Sequence, residues 1–140
     1  DAVAFYRHPV RRRYPDTEFN PVDAAALPRV DVVMSYAGTD GAMVRAAVEV
    51  GARGIVVAGF APGLVTPDQH TALTDATSAG VVVVQSSRVG SGRVPRLERA
   101  QAPGTLVADN LTPQKARILL MLGLAEGLSH SELKRIFAEY

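Results

Sequence analysis

The chain of 140 residues contains no cysteine and no tryptophan. The lack of cysteine excludes disulfide bonds, thiolate metal ligands and a cysteine nucleophile, but it is compatible with either redox compartment. The sequence therefore leaves open whether the protein is cytoplasmic, periplasmic or secreted. It also lacks the run of about 20 apolar residues that a membrane-spanning helix needs, so we expect no membrane partner.

The chain has no large excess of charge of one sign, since it contains 15 basic and 14 acidic residues and its net charge is +1. Without a global positive field, we expect no nucleic-acid partner. The histidines His8, His70 and His130 lie far apart, and none is followed three or four residues later by a second histidine or a carboxylate, as a helical metal site would need. The sequence therefore predicts neither a metal nor another cofactor.

The first part of the chain is irregular. It starts at Asp1 without a methionine, which we interpret as an excision point within a longer protein. A short strand is predicted at Val3–Tyr6, and the polar segment that follows contains several prolines, which favour neither a long helix nor a central strand. Residues 1–28 are thus predicted to be a connector, and residues 29–140 a folded domain.

From residue 30 onward, apolar runs alternate with segments of helical periodicity. The four valines after Gly80 show no polar alternation, which is typical of a strand buried on both faces of a parallel sheet. The alternation predicts an α/β fold of three αβα layers, Rossmann- or flavodoxin-like, with an open parallel sheet of about four strands and helices on both faces. The other predicted strands are Val30–Met34, Gly54–Ala58 and Thr105–Ala108.

Helix starts are predicted from capping residues. Either Thr39 or Asp40 is expected to cap the first helix. The other helices are predicted to begin after Thr66, after Thr112 and after Ser129, which forms a capping box with Glu132.

Polar residues follow the valine run and lead into a long irregular stretch, Ser86–Gly104. In open parallel sheets, ligands bind beyond the carboxyl ends of the strands, so this stretch is a candidate site. Ser86 and Ser87 lack the Gly-x-Ser-x-Gly context of a hydrolase serine, and we expect them to hydrogen-bond the turn. Glu98 is the only carboxylate in the stretch. It could serve as a general acid/base or bind a substrate ammonium group. The alternative is a loop residue that forms a salt bridge.

Several residue strings, in this order, resemble the C-terminal half of bacterial-type L-asparaginases. The resemblance runs over nearly the whole chain, from about Val3 to Tyr140. The strings are Leu27-Pro28-Arg29-Val30-Asp31-Val32-Val33, Tyr36-Ala37, Gly51-Ala52-Arg53-Gly54-Ile55-Val56-Val57-Ala58-Gly59, Ser86-Ser87-Arg88, Asn110-Leu111-Thr112-Pro113-Gln114-Lys115-Ala116-Arg117-Ile118-Leu119-Leu120 and Ile136-Phe137-Ala138-Glu139-Tyr140.

The resemblance implies a two-domain amidohydrolase that converts L-asparagine, and sometimes L-glutamine, to the acid and ammonia through an acyl-enzyme on a threonine, without a cofactor. It places that threonine and its partners in an N-terminal domain that the sequence does not include. The chain is then expected to be inactive alone, with residues 1–28 as the connector. Its expected partners are that N-terminal domain, an amino-acid amide and further subunits, in a dimer or a tetramer.

The resemblance also assigns residues to the substrate site of a neighbouring subunit. Glu98 matches a glutamate that holds the substrate amino group, and Gly38 stands where the family has an asparagine. Because glycine has no side chain to bond a substrate, Asp40 is a candidate replacement. Ser86, Ser87 and Arg88 are expected to support the loop. The string Gly38-Thr39-Asp40-Gly41 is similar to the family's catalytic Gly-Thr-Asp-Thr motif, but we interpret it as a decoy because it follows a C-domain strand.

Two alternatives stay open. The chain is compatible with a non-catalytic α/β module for binding or oligomerisation that has kept the fold without the chemistry. It is also compatible with an asparaginase-like subunit of a tRNA-dependent amidotransferase, in which a partner uses the released ammonia.

Overall fold

The computed structural model describes residues 17–19, 26–97 and 100–140. Within them, four parallel strands form one sheet in the order β1-β2-β3-β4, and helices cover both faces. The predicted α/β fold with three layers is therefore confirmed. The predicted strand Val3–Tyr6 lies outside the described residues. The elements are β1 (Val30–Met34), α1 (Ala42–Glu49), β2 (Gly54–Gly59), α2 (Pro67–Ser78), β3 (Val82–Ser87), β4 (Leu106–Val107), α3 (Pro113–Ala125) and α4 (His130–Glu139).

Strand β2 is the centre of the fold, and all six of its residues are buried. Its side chains alternate between the two faces of the sheet. Ile55 and Val57 pack with Leu73 of α2, whereas Val56 packs with Leu120 of α3. An apolar run without polar alternation is stable only with a helical layer on each side, as observed here.

The two helical layers have different origins in the chain. The strands follow one another in sequence order across the sheet, and α1 and α2, which connect β1 to β3, both pack on one face. The opposite face is covered by α3 and α4, which follow the last strand. The Arg117 side chain of α3 donates a hydrogen bond of 2.7 Å to the Val30 carbonyl oxygen and so fixes this helix to β1.

Helices α3 and α4 approach each other closely at Gly123. A Cβ atom at this position would lie 2.5 Å from Cδ2 of Leu133, so any other residue would force the Leu133 side chain to shift. Helix α4 begins with the predicted capping box, in which the Ser129 hydroxyl accepts from the Glu132 backbone N–H, while the Glu132 carboxylate accepts from the Ser129 N–H at 2.7 Å. Thr66 and Thr112 cap α2 and α3, as predicted.

Two local predictions are wrong. Gln85, Ser86 and Ser87 do not follow the valine strand but form its last three residues, because they pair in register with Val57, Ala58 and Gly59 of β2. The N-cap of the first helix is Gly41, not Thr39 or Asp40, although the Asp40 carboxylate accepts a hydrogen bond from the N–H of Ala42, the first helical residue.

Part of the predicted connector contacts the domain. The rings of Phe19 and Tyr140 lie 5.3 Å apart between centroids. Arg135 forms ion pairs with Glu18 at 2.5 Å and with Glu139 at 2.7 Å, and its hydrogen bond to Glu18 raises the pKa of the guanidinium. The boundary at residue 28 stays a prediction. Among the helices in the described ranges, none combines the length and apolarity required to cross a bilayer.

We predict that Leu120→Ala lowers the free energy of unfolding by about 2–5 kcal/mol, because it leaves a cavity between α3 and the sheet. Leu120 is fully buried, whereas Ile118 in the same helix is 50% exposed. Ile118→Ala is therefore the matched control and should cost less than about 1 kcal/mol. Urea unfolding followed by circular dichroism measures both, and equal losses would contradict the packing described here.

The capping box makes stability depend on pH. Hydrogen bonds from the Ser129 hydroxyl and backbone N–H lower the pKa of Glu132 from its ordinary value of 4.5. The folded chain thus binds this proton less readily than the unfolded chain does. The stabilisation is fully present above pH 4.5 and is lost as the pH falls through the lowered pKa. We expect Glu132→Gln to reduce the urea midpoint at neutral pH and to flatten its acid dependence. Glu126→Gln, an exposed control at the end of α3, should change neither.

Candidate functional site

Three connections meet at the carboxyl edge of the sheet, after β1, β2 and β3. The β1 connection contains Gly38 and Asp40, and the β2 connection contains Phe60 and a cis peptide bond between Ala61 and Pro62. The β3 connection begins with Arg88. In open parallel sheets this edge is where ligands bind.

The turn after β1 is held by its own threonine. Thr39 is buried, and its hydroxyl accepts from the Tyr36 N–H at 2.7 Å and donates to the Tyr36 carbonyl oxygen at 2.6 Å. The turn passes through Gly38, which has φ +79 and open space beside it. Because the Thr39 hydroxyl is fully engaged with the backbone, the arrangement supports interpreting Gly38-Thr39-Asp40-Gly41 as a decoy.

Asp40 is exposed, and one of its carboxylate oxygens accepts a hydrogen bond of 2.9 Å from the Ala42 N–H. This bond fixes the side chain at the start of α1. Its second oxygen has no hydrogen-bond partner among the described residues. Asp40 therefore offers a carboxylate oxygen beside Gly38, the position that lacks a side chain.

The N-cap residue of α2 and one side chain within the helix form hydrogen bonds to the β1 connection. The Thr66 hydroxyl donates to the Thr39 carbonyl oxygen at 2.6 Å, and the Gln69 amide donates to the Met34 carbonyl oxygen at 3.3 Å. Gln69 is completely buried. Since a buried carbonyl without a partner costs free energy, these bonds restrict the conformations open to the turn.

Arg88 joins all three connections. Its guanidinium lies over the Phe60 ring, 4.6 Å from the centroid, and donates a hydrogen bond of 3.0 Å to the Ser35 carbonyl oxygen. The residue after β3 thus contacts the connection after β2 and the end of β1. A planar guanidinium suits this double role because it can stack and donate at the same time.

The polar residues at the end of β3 form further hydrogen bonds to neighbouring segments. The Gln85 amide donates to the Gly63 carbonyl oxygen, and the Ser86 hydroxyl donates to the Leu111 carbonyl oxygen at 2.8 Å. The Ser87 hydroxyl accepts from the Val89 N–H at 3.4 Å. The Ser87 hydroxyl hydrogen-bonds the turn, as predicted. The Ser86 hydroxyl does not, because it bonds the segment before α3. Within the described ranges, neither hydroxyl has a histidine as its hydrogen-bond partner, as a nucleophile would.

The structure brings the predicted residues Arg88, Gly38 and Asp40 to one edge of the sheet. Glu98 lies outside the described residues, so its assignment stays a prediction. Sequence reasoning missed Thr66 and Gln69 as loop supports, and it missed Phe60 as the partner of Arg88. The only signal in the sequence was a glutamine inside the otherwise small and apolar buried face of α2. No group of His, Asp and Glu side chains in the described ranges could hold a metal ion.

Comparison with known proteins decides the family. Residues 29–137 match the model of the glutaminase/asparaginase C-terminal domain. The chain belongs to this family. Across 140 aligned residues it is 34% identical to L-asparaginase 2 of Bacillus subtilis strain 168, with 100% of the chain covered, and 34% identical to the glutaminase-asparaginase of Pseudomonas fluorescens biotype A, with 97% covered.

A solved structure of an asparaginase has the same fold. The crystal structure of the probable cytoplasmic L-asparaginase from Campylobacter jejuni superposes with a TM-score of 0.87 at 33% identity, over 99% of this chain. The glutaminase/asparaginase C-terminal domain described here spans 37% of the Bacillus protein, 38% of the Pseudomonas protein and 46% of the Campylobacter chain. Its relatives are thus longer proteins, and the resemblance seen in the sequence is confirmed.

We predict that Arg88→Ala loosens the connections after β1 and β2 without unfolding the domain. Arg88 is exposed, so we expect a loss of only about 1 kcal/mol in the free energy of unfolding. Hydrogen–deuterium exchange should become faster in peptides covering residues 35–40 and 60–64.

Arg88→Lys keeps the charge but not the planar stacking, and it should restore only part of the protection. Arg53→Ala is the matched control, because this exposed arginine precedes β2 at the opposite edge of the sheet. Unchanged exchange in Arg88→Ala would contradict the role assigned to the arginine.

Proposed function

We propose that this chain is the C-terminal domain of an L-asparaginase, and that it completes the substrate site formed with an N-terminal catalytic domain. The reaction is hydrolysis of the side-chain amide of L-asparagine to L-aspartate and ammonia, through an acyl-enzyme on a threonine of the N-terminal domain. The observation that carries the proposal is the family membership of residues 29–137, together with a carboxyl edge whose loops are fixed by backbone hydrogen bonds.

The chain's own hydroxyl groups support a division of labour between two domains. The Thr39 hydroxyl accepts a hydrogen bond from the Tyr36 N–H and donates one to the Tyr36 carbonyl oxygen. Ser86 is buried, and its hydroxyl donates to the Leu111 carbonyl oxygen. Among the described residues, neither is paired with a general base, which a serine or threonine nucleophile requires. The proposal therefore assigns the nucleophile to the N-terminal domain.

The contribution of the domain is charge recognition. The substrate carries an α-ammonium group, which a carboxylate binds through charge-assisted hydrogen bonds. Glu98 supplies one carboxylate, and Asp40 supplies a second beside the turn at Gly38. Because the Asp40 side chain is already oriented by the Ala42 N–H, less conformational freedom is lost when it meets a substrate.

The domain also presents apolar surface for its partner. Val32 and Met34 alternate along edge strand β1, so their side chains lie on one face, and Tyr36 follows two residues after the strand. Their exposures are 41%, 56% and 53%. Ile118 on α3, the helix that covers this face, is 50% exposed. Grouped apolar side chains of this kind are typical of a surface that another domain or subunit covers. The proposal assigns them to association, with the active protein a dimer or a tetramer.

The test is ammonia release from L-asparagine and L-glutamine. The 140-residue chain alone should release none, and activity should appear when it is combined with the N-terminal catalytic domain of the same protein. In the combined protein, Glu98→Gln should raise KM for L-asparagine by about tenfold or more, because a charge-assisted hydrogen bond is lost. Glu126→Gln, which changes an exposed glutamate at the end of α3, is the matched control.

The outcomes separate the alternatives. Activity of the isolated chain that disappears in Thr39→Ala would disprove the assignment of the nucleophile to another domain. If both domains fold and associate but release no ammonia, the non-catalytic module is the better description. Release of ammonia only in a complex with a tRNA-dependent partner would favour the amidotransferase subunit.

A further inference from the structure

A cleft of about 700 Å³ lies beside edge strand β4. It is bounded by residues 93–96 of the long loop, by β4 and by the C-terminal half of α4. Gly38, Asp40 and Arg88 are not among the described residues that line it. The volume is within the range of about 300–1,000 Å³ that is typical of small-molecule sites.

The walls of the cleft are mainly apolar. Leu106 and Phe137 lie at its base, where they are also part of the core beneath α4. Pro62, Pro95 and Ala138 line it too, and all three are exposed. A ligand with an apolar body would therefore gain from leaving water here.

The polar groups of the cleft are predominantly cationic. Arg93, Arg96 and Lys134 line it, and Asp109 is the only acidic residue among the described lining residues. Arg93 forms an ion pair with Asp109. The lining thus carries an excess of positive charge, in contrast to the nearly neutral chain as a whole.

Two of these cations have no partner among the described residues, where neither Arg96 nor Lys134 forms an ion pair or a side-chain hydrogen bond. The helix explains this for Lys134, because the residues three and four positions away in α4 are His130, Ser131, Phe137 and Ala138, none of them acidic. Unpaired cations beside an apolar wall favour an anion that brings its own apolar surface.

We propose that this cleft binds a small organic anion with an apolar body, held by Arg96 and Lys134 over the wall formed by β4 and α4. The site is additional to the amidohydrolase function proposed above and does not depend on it. The anionic group is a carboxylate or a phosphate ester, since both accept charge-assisted hydrogen bonds from arginine and lysine.

The test is calorimetric titration of the 140-residue chain with hexanoate, hexyl phosphate and hexanamide. Hexanamide has the shape of hexanoate without its charge. We expect saturable binding of at least one anion, about tenfold or more tighter than that of hexanamide. Preferential binding of hexanoate or of hexyl phosphate supports the proposal and identifies the anionic group. Equal affinity for hexanoate, hexyl phosphate and hexanamide, or no saturable binding to the folded chain, would overturn it.

Two kinds of variant locate the site. The double variant Arg96→Gln and Lys134→Gln should weaken anion binding by about tenfold or more, whereas Arg53→Gln, at the opposite edge of the sheet, should leave it unchanged. Ala138→Trp keeps every charge but fills the cleft from an exposed helix position, so it should abolish binding in a folded chain. Binding that survives Ala138→Trp, or that is lost equally in Arg53→Gln, would show that the anion binds elsewhere.

Discussion

The burial of β2 on both faces is the constraint on which the rest of the structure depends. Its six residues have no access to water, so each face of the sheet requires a layer of apolar side chains. Helices α1 and α2 supply one layer and arise within the strand connections. When parallel strands follow one another in sequence order, right-handed connections all cross the same face of the sheet. The layer on the other face therefore cannot come from those connections. Helices α3 and α4 therefore have to return across the sheet after β4.

The same burial determines how the carboxyl edge is built. Strand β3 continues past its valines into Gln85, Ser86 and Ser87, two of which are completely buried. A buried polar group needs a hydrogen-bond partner, and the Gln85 amide N–H and the Ser86 hydroxyl donate to backbone carbonyl groups of neighbouring connections, whereas the Gln85 amide oxygen has no partner among the described residues. Gln69 does the same from α2. The polar residues at this edge thus connect the loops through hydrogen bonds, and the proposed function depends on the rigidity that results.

Sequence reasoning succeeded where a local pattern has a single structural solution. The valine run required two covering layers, and the caps at Thr66, Thr112 and Ser129 fixed the starts of three helices. It failed where the deciding partner is distant in the chain. Arg88 donates a hydrogen bond to the carbonyl oxygen of Ser35, which lies 53 residues earlier, and no local sequence pattern predicts such a contact. The role of Glu98 came only from resemblance, because a lone loop carboxylate has no defining pattern.

The hydrogen-bond pattern bears on the proposed role, in which this domain contributes to a reaction whose nucleophile belongs to another domain. The β1 turn is fixed by Thr39, Thr66 and Gln69, all of which belong to this chain. These hydrogen bonds form within the domain, without a contribution from another chain. A carboxylate on such a turn is oriented before the partner arrives, so association need not also supply the free energy of ordering it. The hydroxyl of Thr39, which maintains the turn, bonds the Tyr36 backbone in both directions, and the proposed function accordingly gives it no catalytic role.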